Sequence, residues 1–528
     1  MTLGAPLRIL LYRPPARMHI TVFPQKTVPL GLLSVASYVR SRRPWEIRLL
    51  DGFQGDDPEA LAEAAASFQP HLVGISGLTA HAYDSMVAAE LVRGAAPDAM
   101  IIAAGTHFSG VPEESLRLCP YLDAVVVGEG EQTLLELGDW IEQSGGRSQG
   151  ESWKDGLSEV PGMTWLDGDP ADPERPFHQA PPRKLLADLG DLHMPAWDLA
   201  HPERYRMHPW RWRELIMMEG SRGCPYACTF CHTTQFWKQR WRPRPVEAVL
   251  DDIEEVVRRW GRRAVHFTDD SWATQRKRVI AFCEGVLERG LDIDLWAQCR
   301  VDDLYRDRDL FPLMKRAGFY GFLVGFESGE QATLDRWDKG VAVDKARELA
   351  PELSRHFQSI LGTFFIGDLQ TDVDSFERTR AFADELNVDV FIEAPLNLFP
   401  PTVPIWSEYR ERPDFALEWD YDLIGNCKVV LPTDHLTQDQ VLYHQKRNML
   451  SFYAHPAKAF HAFGSGRYAR RQFLNMPLTV VEEALRGQAS RWTQGLRTSR
   501  TQQLRERYRH RHDELVQTRR AQGQTAFG

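Results

Sequence analysis

The sequence predicts an α/β protein with two parallel-sheet domains, a linker between them and a mostly helical C-terminal domain. Short apolar runs alternate with helical patterns over residues 1–145, and the same alternation returns over residues 211–400. Residues 146–210 are rich in Gly, Ser, Pro and charge, which is typical of linkers, and helical patterns prevail over residues 401–528. A length of 528 residues also exceeds what one hydrophobic core supports.

The first domain is predicted to be a doubly wound, Rossmann-like parallel sheet. Its candidate strands are Arg8–Tyr12, Ile47–Leu50, Leu72–Ser76, Met100–Ala103 and Ala124–Val127. A ligand of such a sheet lies beyond the carboxyl ends of the strands. Those ends carry Asp51, Ser76–Thr79, Gly105–His107 and Gly128–Gly130. Small and polar residues therefore gather where a large planar ligand could rest.

The second domain is predicted to be an open barrel of six strand–helix units. Its candidate strands are Glu214–Met218, Ala264–Thr268, Asp294–Gln298, Gly321–Gly325, Gly362–Ile366 and Val388–Glu393. Functional residues of barrels lie at the carboxyl ends of the strands. Here these ends carry Asp269 and Asp270, Arg300, and Glu327 with Ser328. Arg300 can pair with a carboxylate, or it can be a barrel salt-bridge partner, and the aspartates can instead cap the next helix.

Three cysteines, Cys224, Cys228 and Cys231, follow the first strand of this barrel with the spacing C-x3-C-x2-C. Three thiolates on one loop can hold three irons of a [4Fe–4S] cluster and leave the fourth iron open to a chelating molecule. A zinc knuckle with His232 as the fourth ligand is the alternative. Zinc sites usually combine two separate C-x2-C hooks, however, and the other four cysteines of the sequence do not form a second hook.

The cysteine loop, with Phe230 just before its last cysteine, resembles the cluster loop of the radical S-adenosylmethionine superfamily. The resemblance implies a (β/α)6 barrel in which S-adenosylmethionine binds the open iron. It also implies that Arg300, Glu327 and Ser328 contact S-adenosylmethionine, because Glu327-Ser328-Gly329 is similar to a glutamate-serine-glycine motif of the superfamily.

Residues 1–145 resemble the cobalamin-binding domain that precedes many radical S-adenosylmethionine enzymes. The resemblance rests on Pro29-Leu30-Gly31, the Gly105-x-His107 turn and Val127-Gly128-Glu129-Gly130-Glu131. It implies cobalamin contacts at Ser76, Thr79, Gly105, His107, Gly128, Glu129 and Gly130. The D-x-H-x-x-G motif that supplies a histidine to cobalt is missing, so we expect no histidine ligand from below. A flavodoxin-like structural domain, with His107 on a surface loop, is the alternative.

Together the two resemblances cover about residues 1–400 and indicate the class B, cobalamin-dependent radical S-adenosylmethionine family, which includes the anaerobic magnesium-protoporphyrin ester cyclase and radical C-methyltransferases. They imply methyl transfer to a carbon of a small-molecule or natural-product substrate, with an external electron donor such as a flavodoxin or ferredoxin. Oxidative cyclisation or ring rearrangement is the enzymatic alternative. A cobalamin or redox sensor with a structural iron–sulfur cluster is the non-enzymatic alternative. No residue is singled out as catalytic.

Composition excludes other classes of protein. A formal charge of -10 argues against a nucleic-acid binder, and no apolar run reaches the roughly 20 residues of a membrane span. Free thiols and a cluster loop favour reducing cytoplasm. The arginine-rich stretch after Arg497 also contains Glu506, Asp513 and Glu514, which predicts a solvated terminal helix. The rest of 401–528 is expected to close the open side of the barrel.

Overall fold

The computed structural model describes residues 6–15, 28–144, 151–169, 172, 174–205, 215–396, 403–410, 421, 431–456 and 500–521. In these ranges the chain forms two large sheets, the first within residues 8–179 and the second within residues 215–395. The α/β fold class predicted from the sequence is therefore confirmed.

The first sheet contains β1 (Arg8–Arg13), β2 (Glu46–Asp51), β3 (Leu72–Ser76), β4 (Met100–Ala104), β5 (Ala124–Val126), β6 (Met163–Leu166) and β7 (Phe177–Gln179). Among the described residues the strand order is β2-β1-β3-β4-β5-β6-β7. Strands β1 to β5 are parallel, while β6 and β7 are antiparallel. The expected linker at 146–210 is thus wrong for residues 163–179, because the apolar run Met163–Leu166 is fully buried and pairs with β5.

Helices cover both faces of this sheet: α1 (Leu30–Arg40), α2 (Pro58–Phe68), α3 (Ala82–Ala95), α4 (Thr106–Gly110), α5 (Pro112–Leu118) and α6 (Glu131–Ser144). The alternation of side chains along β1 explains why. Ile9 and Leu11 pack in a cluster with residues of α1 and α6, whereas Leu10 and Tyr12 pack with α2 and α3. A strand that is apolar on both faces requires helices on both sides.

The second sheet contains β8 (Leu215–Met218), β11 (Ala264–Phe267), β12 (Asp294–Arg300), β13 (Phe319–Glu327), β14 (Ser359–Ile366) and β15 (Val390–Pro395). In the described part of the chain these strands are parallel, in the order β15-β14-β13-β12-β11-β8. Strands β8 and β15 stand at the two ends of this order, and their described residues do not pair with each other, as expected for an open barrel. A small antiparallel pair, β9 (Ser221–Arg222) and β10 (Arg242–Pro243), flanks the mouth.

The connecting helices are α7 (Trp197–Ala200), α8 (His232–Phe236), α9 (Val246–Trp260), α10 (Arg276–Glu288), α11 (Val301–Arg306), α12 (Phe311–Arg316), α13 (Gln331–Arg336), α14 (Val343–His356) and α15 (Val373–Glu385). Short 3-10 helices occur at Gly52–Gln54, Thr79–His81, Glu151–Glu159, Leu189–Asp191, Pro202–Arg204 and Arg308–Leu310. Helix α9 shows how the sequence builds this layer: Val249, Leu250, Ile253 and Val256 are buried at helical spacing. Gly261, with a φ of 62°, then ends the helix.

Residues before the barrel join the two domains. Trp197 is buried in the main core cluster of the barrel, and the Ala196 amide donates a hydrogen bond to the Leu33 carbonyl of the first domain (3.1 Å). The Ser37 hydroxyl donates to the Met194 carbonyl at 2.6 Å. This segment therefore packs the two domains against each other.

The described C-terminal helices are α16 (Trp406–Arg410), α17 (Gln438–Ala454) and α18 (Arg500–Ala521). Helix α17 packs on α15 and β15 and so covers the edge strand of the barrel, as the sequence predicts. Helix α18 instead packs on α3 and α5 of the first domain. The predicted solvated helix is therefore wrong, since Thr501, Tyr508, His512 and Val516 form a buried face at helical spacing. None of the described helices is long and apolar enough to cross a membrane.

Candidate active site

The three motif cysteines lie in one loop that directly follows β9. Cys224 and Cys228 are buried and Cys231 is half-buried, and all three are free thiols. The Cys231 amide donates to the Cys228 carbonyl at 3.1 Å, which turns the loop back on itself. Burial raises the pKa of the Cys224 thiol to about 11. A bound cation would have the opposite effect, because it stabilises the thiolate.

Glycine is required immediately before this loop. Gly223 has a φ of 84°, and a Cβ atom there would lie 2.1 Å from the Arg240 carbonyl oxygen. Only a residue without a side chain fits such a close approach. The glycine of the Arg222-Gly223-Cys224-Pro225 signature is thus explained by local packing.

Two aspartates that follow β11 accept hydrogen bonds from the backbone just before the cysteine loop. Asp269 accepts a hydrogen bond from the Gly220 amide (2.7 Å), and Asp270 accepts from the Gly223 amide and the Thr233 hydroxyl, each at 3.2 Å. Burial raises the pKa of Asp269 to about 6. Neither aspartate caps α10, whose N-cap is Gln275.

Arg300, at the end of β12, lies against the cysteine loop. Its Nη1 is 3.5 Å from Cys228 Sγ, its Nε donates to Asp302 Oδ1 (3.0 Å), and its guanidinium lies 3.5 Å above the Tyr226 ring. The side chain is almost completely buried. Arg300 therefore places a fixed positive charge beside a cysteine thiol at the mouth of the barrel.

Glu327 and Ser328 end the neighbouring strand β13. Glu327 has a φ of 63°, which is uncommon for a residue with a side chain and is often found at functional sites. Its carboxylate accepts from Lys339 Nζ at 2.7 Å and faces the Thr363 hydroxyl at 3.5 Å. Ser328 borders a cavity of about 180 Å³ that Trp337 and Phe365 also line.

Trp337 is a site residue that the sequence analysis missed, and Phe365 lies beside it near the end of β14. Phe230 of the cysteine loop packs against both rings, at centroid distances of 5.3 Å and 5.0 Å. The Thr229 amide also donates to the Trp337 carbonyl (2.9 Å). The two aromatic residues come from different strand–helix units, so no local spacing in the sequence relates them to the cysteines.

In the first domain, the loops after β3 and β4 touch each other. Gly105 has a φ of 100°, and a Cβ there would lie 2.6 Å from the Gly77 carbonyl oxygen and 3.2 Å from Ser76 Oγ. Thr79 is partly exposed, and Leu78 is 51% exposed, which is high for a leucine. At the carboxyl edge of the sheet these loops thus present small residues and one exposed apolar side chain, that of Leu78.

The loop after β5 forms part of a cavity between the two domains. Gly128 has a φ of 92°, and a Cβ there would meet no atom of the described chain within 4 Å. It borders a cavity of about 420 Å³ whose opposite wall is α8, with His232 and Phe236. Because α8 begins directly after Cys231, this cavity lies between the edge of the first sheet and the helix that follows the cysteine loop.

Two family models match the chain: the B12 binding domain at residues 17–138 and the radical SAM superfamily at residues 218–383. Together they match more than half of the chain. The chain belongs to the cobalamin-dependent radical S-adenosylmethionine proteins. The radical S-adenosylmethionine match favours the iron–sulfur cluster over a zinc knuckle, and the B12 match favours a cobalamin domain over a structural flavodoxin-like one.

Relatives over most of the chain agree with this assignment. An uncharacterized methyltransferase of Pyrococcus horikoshii is 27% identical, and the match covers 85% of this chain and 93% of the relative. The anaerobic magnesium-protoporphyrin IX monomethyl ester cyclase of Rubrivivax gelatinosus is 25% identical over 84% of this chain and 77% of the relative. The structure of the radical S-adenosylmethionine methyltransferase TsrM from Kitasatospora setae has the same fold, with a TM-score of 0.66, 16% identity and coverage of 90% and 99%.

The cofactors of this family are a [4Fe–4S] cluster, cobalamin and S-adenosylmethionine, and the residues present fit them. The three cysteines offer free thiols on one loop, as a cluster with one open iron needs. The edge of the first sheet offers small residues beside an interdomain cavity. Two residues expected at this edge have other roles in the structure.

Glu129 is one of them, because its carboxylate is occupied by the domain interface. Oε1 lies 2.8 Å from Arg222 Nη1, and Oε2 accepts from the Leu186 amide (2.7 Å) and from Arg242 Nη1 (3.0 Å). In the structure this carboxylate therefore serves the domain interface. Gly130, next to it, packs on α1, with Val35 3.3 Å from the position of a Cβ.

His107 is the second of the two residues expected at this edge that have another role. It is neither a surface residue nor part of the lining of the interdomain cavity. It is 1% exposed, and its ring packs edge-on against Tyr421 (4.6 Å between centroids) and Phe108 (4.9 Å). Burial, with a smaller effect of nearby His512, lowers its pKa to about 3. The imidazole is thus a neutral part of the core beneath the Gly105 turn.

His81 is a polar residue of this edge that the sequence analysis missed. Its Nδ1 accepts from the Leu78 amide at 3.1 Å, so the proton of the neutral ring is on Nε2. Burial lowers its pKa to about 4, and Nε2 is buried without a hydrogen-bond partner among the described residues. A ring in this tautomer can donate through Nε2, but has no lone pair there for a metal.

Proposed function

We propose that the protein transfers a methyl group from S-adenosylmethionine to a carbon atom of a small-molecule substrate. The observation that carries the proposal is the cavity of about 420 Å³ between Gly128 and α8. It brings the carboxyl edge of the B12 binding domain next to the helix that begins directly after Cys231. When bound, cobalamin and the iron–sulfur cluster supply the methyl-transfer and radical chemistry.

Each group of residues has a proposed role. Cys224, Cys228 and Cys231 hold three irons, and Arg300 offsets the negative charge that the thiolates acquire. Arg300, Glu327 and Ser328 also orient S-adenosylmethionine at the barrel mouth. Cobalamin contacts are proposed at Ser76, Thr79, Gly105, Gly128 and Gly130, with His81 as an added donor.

The barrel interior supports a substrate with an apolar part. Its floor is a cluster of buried residues, namely Leu215, Ala264, Trp296, Tyr320, Leu361 and Val390. Leu323 and Ile392 pack against this floor and are only partly buried. His266 stacks on Trp296 (5.0 Å between centroids) and is hydrogen-bonded to the Tyr320 hydroxyl.

The interior is also electrically neutral. In the six described strands the charged residues are Asp294 at the amino end of β12, Arg300 and Glu327 at the mouth, and Glu393. Glu393 faces outward, because Asn448 of α17 donates to it at 2.8 Å. Burial lowers the pKa of His266 to about 3, so this ring carries no charge. We therefore propose that the part of the substrate that enters the barrel is neutral and largely apolar.

Oxidative cyclisation or ring rearrangement is the second candidate, because the cyclase of Rubrivivax gelatinosus is a relative over 84% of this chain. A sensor with a structural cluster would leave the charged residues at the barrel mouth, Arg300 and Glu327, without a use. An external electron donor, such as a flavodoxin or ferredoxin, is proposed as the reductant. A reducing cytoplasm is the proposed location, and it fits the free thiols of the described cysteines.

Mass spectrometry with trideuteriomethyl-labelled S-adenosylmethionine distinguishes these activities. The reconstituted protein is incubated anaerobically with the label, a reductant and a small-molecule extract of its source organism. A product that carries the intact labelled methyl group on carbon supports methyl transfer. An unlabelled product of altered mass would show cyclisation or rearrangement instead. A variant with all three motif cysteines changed to alanine is the control and should form neither product.

A further inference from the structure

The C-terminal helix α18 packs on α3 and α5 of the first domain, on either side of the turn that follows β4, although about 400 residues of sequence separate the helix from that turn. We propose that His512 is a positioning residue that fixes the Gly105–His107 turn for cobalamin. This inference rests on the proposed cobalamin site.

His512 lies at the centre of a buried group of aromatic and charged side chains. It is completely buried, and its Nδ1 is 2.9 Å from the Tyr83 hydroxyl of α3. Its Nε2 lies 3.3 Å from Glu114 Oε1 of α5. Its ring stacks on Tyr421 with 4.2 Å between centroids. One side chain of α18 thus contacts two helices of the first domain and a residue of the C-terminal region.

Tyr421 carries this contact to the turn. Its hydroxyl donates to Glu114, and its ring packs edge-on against His107, 4.6 Å between centroids. His107 is two residues from Gly105, whose backbone is pressed against Gly77. Because Gly105 cannot shift toward Gly77, the position of the turn is determined by what supports it from the His107 side.

Ionic contacts on both sides of His512 hold α18 in register. Arg505 Nε is 3.1 Å from Asp84 Oδ2, and Arg519 Nη1 is 3.2 Å from Glu114 Oε2. The Tyr508 hydroxyl donates to Glu90 at 2.8 Å. Asp84 and Glu114 are almost fully buried, so these contacts are better shielded from water than surface ion pairs. The arginines of the C-terminal stretch therefore attach the helix to the first domain.

The test compares two histidines of the same helix. His512→Ala removes the buried ring, and His510→Ala is the matched control, because His510 is exposed and its ionic contact is with Glu514 of the same helix. The titration of cofactor-free protein with aquacobalamin should give a dissociation constant about tenfold higher for His512→Ala, which corresponds to about 1.4 kcal/mol of binding free energy. His510→Ala should bind as the wild type does. Iron content and S-adenosylmethionine affinity should be unchanged in both, since these belong to the barrel.

Further variants separate positioning from general stability. Tyr421→Phe keeps the ring against His107 but removes the hydroxyl that binds Glu114, and should weaken cobalamin binding by a smaller factor. His512→Asn keeps a polar group near the position of Nδ1 and should restore part of the affinity. If His512→Ala fails to fold and loses iron as well, the cobalamin affinity of Tyr421→Phe tests the positioning role instead.

Failure of the inference and failure of the proposed function give different results. A wild-type protein that binds no cobalamin would contradict the proposed function. A wild type that binds cobalamin, together with His512→Ala and Tyr421→Phe variants of equal affinity and lower melting temperature, would overturn the positioning role and leave α18 as a structural element only.

Discussion

Replacing Arg222 with methionine should show how much the ion pairs of the domain interface contribute to the stability of the protein. Arg222 directly precedes Gly223-Cys224 and is buried. Its guanidinium lies 2.8 Å from Glu129 and 2.7 Å from Glu131, both in the first domain, and 2.7 Å from Glu219. The signature residues of the two domains therefore bind each other across the interface.

The expected cost follows from what each carboxylate retains. Without Arg222, Glu129 keeps Arg242 and the Leu186 amide, but among the described residues Glu131 keeps only the Ser34 hydroxyl and a backbone amide. Removing one partner of a buried ion pair typically costs about 3–5 kcal/mol. We expect a loss of this size in the free energy of unfolding of Arg222→Met. Most of it should arise at Glu131.

The loss should depend on pH. Burial raises the pKa of Glu131, and the Arg222 guanidinium more than offsets this, so the pKa lies below its ordinary value of 4.5. In the wild type, the carboxylate therefore stabilises the fold above the unfolded-state pKa, and this contribution is lost as the pH falls through the folded-state pKa. In Arg222→Met, the hydrogen bonds from Ser34 and the backbone amide are all that opposes burial within the described part of the chain, so the pKa of Glu131 rises. The unfolded state then ionises first, and the deficit of the variant should grow between about pH 5 and pH 7.

Urea unfolding followed by tryptophan fluorescence, under anaerobic conditions at both pH values, measures these differences. Arg258→Met is the matched control, because Arg258 forms an exposed pair with Glu255 and should cost less than about 1 kcal/mol. Adding Glu131→Gln to Arg222→Met should recover part of the stability, with a coupling of about 0.5–3 kcal/mol. An Arg222→Met variant as stable as Arg258→Met at both pH values would refute the interface argument.

Three further predictions concern the cofactor sites. Changing Cys224, Cys228 and Cys231 together to alanine should abolish the visible absorption of the cluster and the cleavage of S-adenosylmethionine, whereas Cys283→Ala, in the barrel core, should retain both. Arg300→Ala should weaken S-adenosylmethionine binding in equilibrium dialysis by roughly ten- to a hundredfold at unchanged iron content; loss of iron with normal binding would show that Arg300 serves the cluster alone. Gly105→Ala should lower the melting temperature more than Gly128→Ala, because both add strain at positive φ, about 1–2 kcal/mol, but only position 105 also meets the Gly77 backbone at 2.6 Å. Equal effects at 105 and 128 would contradict that contact.

The alternation of apolar runs and helical patterns was sufficient to predict the two parallel sheets. Strands buried on both faces must be apolar throughout, so their positions are visible without a structure. The β6–β7 hairpin was missed because its strands are three or four residues long and lie within a segment of linker composition. Strands this short do not give a clear period of two.

The cysteine loop was found because its chemistry depends on local spacing. The roles of Glu129 and His107 were not found, because each depends on partners from distant parts of the chain. Glu129 faces Arg222 and Arg242, and His107 faces Tyr421 beside His512. A motif identifies which residues lie at a strand end, but it does not show which way a side chain turns.

The sequence by itself determined the fold class, the order of the domains and the family, and it predicted the cluster ligands, since each is recorded in local periodicity or in residues a few positions apart. Only the tertiary structure decided which charges meet at the domain interface, that α18 returns to the first domain, and that the barrel interior is neutral. These features depend on burial and on distances between residues far apart in the chain. Such distances are set by the packing of the whole molecule and not by any segment of it.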